Sequence, residues 1–572
     1  MNETWQIKEV DAGLVDRIVE KYDLPASIAT ILAGRTIAEE EIADFLEPRL
    51  QALSDPFLLP DMEQAVERLL RARSLGQQVL IWGDYDVDGI CSTSILYNLL
   101  DHGGWSVRYF IPDRNTDGYG VTLPALKRLC ETAKPDLMIT VDCGTNSVAE
   151  LAYAASLHVD VIVTDHHVPA STHATPYALI NPKLGKDRRF HDLCGAGVVF
   201  KLMHALIKRA KESSDEVLAQ VDLKNYLDRV ALATVADMVP LQGENRIFVQ
   251  HGLKRMKQTS CIGLHTLLTV TGTSTRISSS ICAYQLAPRL NATGRMASAH
   301  QGVALLTTSD EHHAHQLALD IDQLNKKRRE AEESLFKQVI DRVEHKGDTD
   351  NLWSIVLANK DWPVGLVGIT AARAVRAYHV PVILMQENEV GGAKGSCRSI
   401  AGLDLLPILE TCSEFLDHFG GHQMAAGLQV KPNCLDAFSA CFAAGVEQQL
   451  GHVRPERILD IDVCISQERI DQTWYAKYQK LAPFGTNFAE PVIMIKEAQI
   501  QGMPRVVGEK HLRFDLAWEG QSIPAIAFNF SLDQLPAGRL DVEGRVEENH
   551  WRGAVTLQMQ VIAVKPAIRD LI

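Results

Sequence analysis

Apolar positions along the chain fall into successive regimes. Residues 1 to about 55 repeat at helical spacing, with breaks near Pro25, Pro48, Pro56 and Pro60. From residue 62 the pattern alternates. An amphipathic helix, Met62 to Arg73, leads to the apolar run Gln78-Val-Leu-Ile-Trp82, and a further helix starts at about Ile90. Runs at Val107 to Ile111, Leu137 to Val141 and Val159 to Thr164 are separated by helical stretches, one of them over 147–157. Short apolar runs alternating with helices predict an α/β fold with a parallel, doubly wound sheet.

Residues 309–346 break this rhythm. They carry dense charge, from Lys326 through Glu333, and no Pro or Gly before Gly347. This predicts a long solvated connecting helix, with His312, His313 and His315 exposed near its start. A second α/β pattern runs from Leu352 to about Leu450. Beyond it come β-type alternations at Val492 to Ile495, Leu512 to Trp518, Ala525 to Phe530, Leu540 to Val546 and Ala554 to Val564. Short strands with Gly and Pro breaks predict a small barrel of OB type. The expected organisation is a helical segment over 1–60, an α/β domain over 61–308, the connecting helix over 309–347, a second α/β domain over 348–454 and the barrel over 455–572.

A chain of 572 residues exceeds one hydrophobic core. With 46% hydrophobic and 23% charged residues, its composition is globular rather than disordered. The opening MNETWQIKEV has neither a basic nor an apolar leader region, and no run of 18 apolar residues occurs, so neither a secretory signal nor a membrane span is expected. The 11 cysteines form no C-x-x-C pair, which fits reduced thiols in a cytoplasmic protein. A net charge of −15 argues against coating nucleic acid by bulk charge, but leaves room for a local basic groove and bound cations.

The first apolar strand runs into Gly83-Asp84-Tyr85-Asp86-Val87-Asp88-Gly89. Three carboxylates this close repel one another unless a cation sits among them, and in an extended turn alternate side chains can face one point. A calcium loop of the EF-hand kind is excluded, because its last acidic ligand would fall on Ile95. The next strands stop at Asp142, followed by Cys143-Gly144-Thr145-Asn146, and at Asp165-His166-His167. Ends of parallel strands share one edge, where ligands bind, so Asp86, Asp88, Asp142 and His166 are expected to converge. In Ala233-Thr-Val-Ala-Asp237-Met-Val-Pro240 an Asp ends an apolar helix, whose C-terminus repels it. A metal would explain that placement. Carboxylates with imidazole suit Mn²⁺ or Mg²⁺. Several around one point suggest two ions with a shared ligand, an arrangement that hydrolyses phosphoesters.

These four stretches, in this order, resemble the motifs of the DHH phosphoesterase family. The resemblance implies that Asp86, Asp88, Asp142, His166 and Asp237 are metal ligands, with Asp142 bridging two ions, and that Asp84 and His167 support the site or contact phosphate. Some branches of the family carry a His ligand where this chain has Trp82, which leaves the first metal's shell to Asp84 or water.

Gly392 to Ser399 and Gly420-Gly421-His422 through Gly427 are glycine-rich and carry Ser396, Arg398 and His422, residues suited to gripping phosphate. Together they resemble the DHH-associated domain. The stretches Asp113-Arg114 to Gly120, Pro288-Arg289 to Arg295 and Leu481 to Pro491 resemble the RecJ branch of the family. That resemblance implies a 5′→3′ exonuclease on single-stranded DNA, working in recombination and repair beside a single-stranded DNA-binding protein and a helicase, and a monomer. It places Arg114, Arg398 and one of Arg289 or Arg295 on a 5′-terminal phosphate. Trp518, Phe528, Phe530 and Trp551 are stacking candidates in the barrel, with core packing as the competing role. Two other readings compete: a phosphatase on small phosphoesters (nano-RNA, cyclic dinucleotides or pyrophosphate) and a non-catalytic nucleic-acid-binding scaffold.

Overall fold

The computed structural model describes residues 3–567 apart from 36, 115, 214, 276, 346–351, 509 and 552–553. Gly347, expected to end the connecting helix, lies outside the described residues.

The first α/β unit is built on a five-stranded, all-parallel sheet in the order Ser106–Phe110, Gln78–Trp82, Leu137–Val141, Asp160–Thr164, Ala178–Ile180. Alternation along the strands feeds two layers. Ile81 and Ile139 pack under the helices Val87–His102 and Gly195–Glu212, while Trp82, Met138 and Val163 face Leu126 and Leu151 on the opposite side. Strand order reverses at Gln78–Trp82, whose two neighbours both follow it in sequence but lie on opposite sides of it in the sheet. That reversal opens a crevice at the carboxyl ends of Gln78–Trp82 and Leu137–Val141.

The second unit is a mixed sheet in the order Leu416–His422, Ala425–Val430, Ala393–Arg398, Val382–Glu387, Ile355–Asn359. Only its last two strands run parallel. The helix Glu311–His345 joins the units and spans about 52 Å at 1.5 Å per residue. Its first half buries Ala314, Leu317, Ala318 and Ile321 in one core, and its second half buries Leu335, Phe336, Val339 and Val343 in the other. His312, His313 and His315 are exposed on it. The C-terminal strands form a six-stranded sheet in which pairing of Ile493–Val507 with Leu540–Trp551 closes five strands into a barrel, with Val463–Ile465 added at the edge.

The opening segment departs from its helical expectation. It starts with a strand, Glu3–Ile7, paired in parallel with Arg457–Ile461. Its helices Ala12–Tyr22, Ala26–Ala33 and Ile42–Leu46 bury Ile18, Ile28, Ile31 and Leu32 in the same cluster as Trp474, Phe488 and Ile493 of the barrel region. The two ends of the chain thus share one core. Among the described residues no helix is long and apolar enough to cross a membrane.

Candidate metal centre and nucleic-acid interface

The carboxylate motif is not one extended turn. Asp84 lies in the loop after the first strand, Asp86 caps the helix Val87–His102 by accepting from Gly89 N at 3.0 Å, and Asp88 sits in that helix's first turn. Helical geometry swings Asp88 toward a second helix, where its oxygens accept from Gly195 N at 2.6 Å and Ala196 N at 2.8 Å. Asp142 adopts a left-handed backbone with φ of 62° as the chain leaves its strand. For a residue with a side chain this is a sparsely populated conformation, of the kind held at functional sites by surrounding structure. Asp237 caps the C-terminus of Leu227–Ala236.

These elements bring six groups to one point in the crevice. Asp84, Asp86 and Asp142 form one triad of ligand atoms within 4.8 Å of each other, and Asp88, His166 and Asp237 form another. His166 Nε2 lies 3.2 Å from Asp142 Oδ1, 3.6 Å from Asp237 Oδ2 and 3.8 Å from Asp88 Oδ2, so Asp142 and His166 join the triads. Burial, reinforced by mutual repulsion, pushes the carboxyls of Asp84 and Asp142 well above the usual range, Asp88 to about 6 and Asp237 to about 8. Burial, then the neighbouring His167, lowers His166 to about 3 and keeps it neutral, the form in which imidazole binds metal. Asp84 Oδ1, Asp142 Oδ1 and Asp237 Oδ2 are buried with no hydrogen-bond partner. Unpaired buried oxygens, crowded like charges and a neutral imidazole are what divalent cations would satisfy, so the residues fit Mn²⁺ or Mg²⁺. Trp82 takes no part. It is fully buried in the far layer, donating its indole N–H to Gly120 O at 3.3 Å.

Asp165 was given no role by its sequence position, yet it organises the third motif. Its Oδ1 accepts from His166 N at 2.7 Å, His167 N at 3.1 Å and His167 Nδ1 at 2.7 Å, while Oδ2 accepts from Thr145 N at 2.9 Å. Burial opposes the charge on His167, but the bond and charge of Asp165 prevail and raise it to about 9. His167 Nε2 in turn meets Tyr119 Oη at 3.0 Å. Tyr119 and Asp165 both lie inside the motifs read from sequence, but only the fold shows that they converge on His167.

The cationic residues separate into two groups. Arg114 stacks over Tyr85, 5.4 Å from its ring centre. Arg295 reaches across to Gly365 O at 3.1 Å, and burial, then Arg114, lowers its pKa to about 10. Gly294, just before it, lets its helix close on the first motif, since a Cβ there would come within 2.4 Å of Tyr85 O. Arg398 donates to Ser396 Oγ at 2.6 Å, and burial, then Arg114, disfavours its charge. Arg114, Arg295, Arg398 and Ser396 therefore gather where the two α/β units meet. His422 is exposed in the same cross-strand row as Arg398, two strands over. Arg289 points elsewhere, bonded to Asp322 Oδ1 of the connecting helix at 3.0 Å.

On the barrel, Trp518 is core and Phe530 packs against the core, whereas Phe528 is 42% exposed and edge-on to His511. The Trp551 side chain lies outside the described residues. Near Phe528, the cross-strand pair Arg505 and Arg513 faces outward, a basic feature that no alternation in the sequence announces.

Three family models match: the DHH family N-terminal domain over residues 78–234, the DHHA1 domain over 352–447 and the RecJ OB domain over 461–563. The single-stranded-DNA-specific exonuclease RecJ of Bacillus subtilis is 33% identical over 97% of this chain and 70% of its own length. The protein of that name from Dickeya dadantii is 34% identical over 94% of this chain and 96% of its own. The crystal structure of Thermus thermophilus RecJ in complex with Mn²⁺ superposes with a TM-score of 0.83 at 27% identity, covering 99% of this chain and 80% of that one, and the same protein has been solved with Mg²⁺. Matched by three family models and at this identity along nearly its whole length, the chain belongs to the RecJ family of DHH phosphoesterases.

Proposed function

We propose that the protein is a single-stranded-DNA-specific 5′→3′ exonuclease that releases 5′-mononucleotides with two divalent ions, Mn²⁺ or Mg²⁺, at the crevice. The observation that carries this reading is the pair of adjoining triads, Asp84-Asp86-Asp142 and Asp88-His166-Asp237, beside a cationic cluster where the two α/β units meet. When bound, the ions supply Lewis-acid charge to the scissile phosphodiester and to the attacking water.

The chain's own residues set the geometry. Asp142 and His166, 3.2 Å apart, join the two triads that would hold the ions. Asp165 fixes the ring of His167, whose protonated imidazole, raised to about 9, is suited to a phosphate oxygen. Arg114, Arg295 and Arg398, with Ser396, grip the 5′-terminal phosphate, so the first phosphodiester comes to rest over the carboxylates. His422 stands on the same side. Polarity follows from that anchoring, because only a 5′ end offers a terminal phosphate to the cluster. Phe528, His511, Arg505 and Arg513 offer stacking and charge to the trailing single strand. Such an enzyme acts in the cytoplasm on strands exposed in recombination and repair, beside a helicase and a single-stranded DNA-binding protein.

The test is a 5′-phosphorylated, 3′-labelled single strand incubated with Mn²⁺ or Mg²⁺, beside a blunt duplex and an Asp142→Ala control. Progressive shortening of the single strand alone, absent in the variant, is expected. Turnover of a dinucleotide or pyrophosphate without strand shortening would overturn the exonuclease reading in favour of a small-substrate phosphatase. Binding without any metal-dependent turnover would leave a scaffold.

A further inference from the structure

Away from the crevice, two cysteines lie in unusual proximity. Cys412 Sγ and Cys441 Sγ are 2.7 Å apart, against the roughly 2.05 Å of a disulfide, so about 0.7 Å of movement would join them. Cys412 ends the helix Leu405–Thr411, and Cys441 is in the helix Leu435–Gln449. The two helices are pressed together one turn further on, where a Cβ on Gly445 would stand 2.8 Å from Ile408 Cγ2. Residues 441 and 445 lie on one helix face, so the same close packing that excludes a side chain at 445 holds the thiols in register. Cys412 is fully buried, whereas Cys441 is partly exposed and open to a reagent from solvent.

We propose that Cys412 and Cys441 form a reversible oxidation site, a disulfide made by thiol–disulfide exchange. The thiolate of Cys441 attacks a small-molecule disulfide, forming a mixed disulfide and releasing one thiol. Cys412 then attacks Cys441 Sγ, and the second small thiol leaves. The protein loses two protons and two electrons, and one molecule of small disulfide takes them up to become two thiols. Excess thiol reverses both steps.

The site has a structural consequence. The chain between the two cysteines contains the strands Leu416–His422 and Ala425–Val430, the hairpin that carries Gly420, Gly421 and His422 beside Arg398. Closing a ring at its base stiffens that arm by restricting its open states. Neither the pair nor this effect depends on the nuclease reading.

The full-length protein is incubated with glutathione disulfide, its remaining thiols are capped with N-ethylmaleimide, and its peptides are mapped by mass. The expected product is a Cys412–Cys441 linked peptide, two hydrogens lighter, formed before modification of the other cysteines and removed by dithiothreitol. Hydrogen exchange across residues 416–430 slows on oxidation, and Cys441→Ser shows neither change. A stable glutathione adduct on Cys441 with no link to Cys412, or both cysteines capped as free thiols, overturns the site. A linked peptide with unchanged exchange over the hairpin overturns the stiffening.

Discussion

Arg246 is the most informative residue to perturb outside the metal centre. It is 2% exposed, and among the described residues its hydrogen-bond partners are backbone carbonyls. Its guanidinium donates to Phe45 O at 2.8 Å, Leu481 O at 2.8 Å, Ala482 O at 3.0 Å and Pro483 O at 3.2 Å, and lies 3.5 Å over the ring of Phe45. One side chain of the first α/β unit therefore ties down both the opening segment and the entry to the barrel. Replacing it with Met keeps most of the volume and strands four carbonyls. Leaving buried acceptors unpaired costs about 1–3 kcal/mol each. Against this stands the relief of burying a charge, which lowers Arg246 to about 9 and amounts to about 5 kcal/mol at 1.36 kcal/mol per unit. The mid-range balance is a loss of about 3 kcal/mol for Arg246→Met, with Arg246→Lys intermediate because an ammonium reaches fewer of the carbonyls. Urea unfolding followed by tryptophan fluorescence reads the change, and Trp474 and Trp518 in the barrel core report on that region. The barrel transition moves to lower denaturant and separates from that of the first unit. An Arg246→Met midpoint indistinguishable from wild type would refute the clamp. A Lys variant no better than Met would show that net charge alone is not what matters.

Asp142→Asn removes one of the crowded buried charges, so the metal-free protein gains thermal stability while the melting-point rise on adding Mn²⁺ disappears; a variant that still shifts with Mn²⁺ contradicts the ligand role. His204 is held neutral by burial and by Lys201, with its pKa lowered to about 4. Since the unfolded chain protonates near 6.5, stability falls as pH drops through 6.5 and levels off below about 4, by up to about 3 kcal/mol, and His204→Leu flattens that limb in unfolding measured from pH 7 to 4. Arg295→Ala raises KM for a 5′-phosphorylated strand tenfold or more, about 1.4 kcal/mol or greater, and erases the preference over a 5′-hydroxyl strand; Arg289→Ala, which breaks only the Asp322 pair, leaves that preference intact.

Sequence periodicity carried four strands of the parallel sheet because they are short, largely apolar and separated by helices, and it missed Ala178–Ile180, which is three residues long and follows Asp160–Thr164 with no helix between. It grouped Asp86, Asp88, Asp142 and His166 without coordinates because strand ends of a parallel sheet share an edge, whereas Asp237, at a helix end, entered through its misplaced charge and the family motif. It failed where a contact is set by tertiary packing. The strand Glu3–Ile7 has one partner, more than 400 residues away, and no alternation long enough to announce it. Arg289 and Arg295 lie on one helix and differ only in which side each presents, a choice made by Asp322 on one side and Gly365 on the other. Asp165 sits in a motif whose histidines draw the eye, and its four accepted hydrogen bonds exist only once the loop closes.

The barrel is more than an appended binding module, and this bears on how its role is tested. Leu241, four residues after Asp237, donates its N–H to Thr486 O at 3.1 Å, and Ser279 Oγ donates to Phe484 O at 2.6 Å. The loop that opens the barrel thus braces the segment that follows the fourth metal motif. Deleting residues beyond 454 would release that segment and strip the cover from Ile18, Ile28 and Leu32, so lost activity would not distinguish weaker binding from a displaced Asp237. Outward-facing substitutions separate the two. Arg505→Glu with Arg513→Glu reverses charge on an exposed cross-strand pair and touches none of these contacts. KM for a long single strand should rise, and the salt dependence of binding should weaken by about 0.7 of log–log slope per lost phosphate contact, while turnover of a strand too short to reach the barrel stays at the wild-type rate. An unchanged salt slope would remove this face from the path of the DNA and leave Phe528 as a surface aromatic without a ligand.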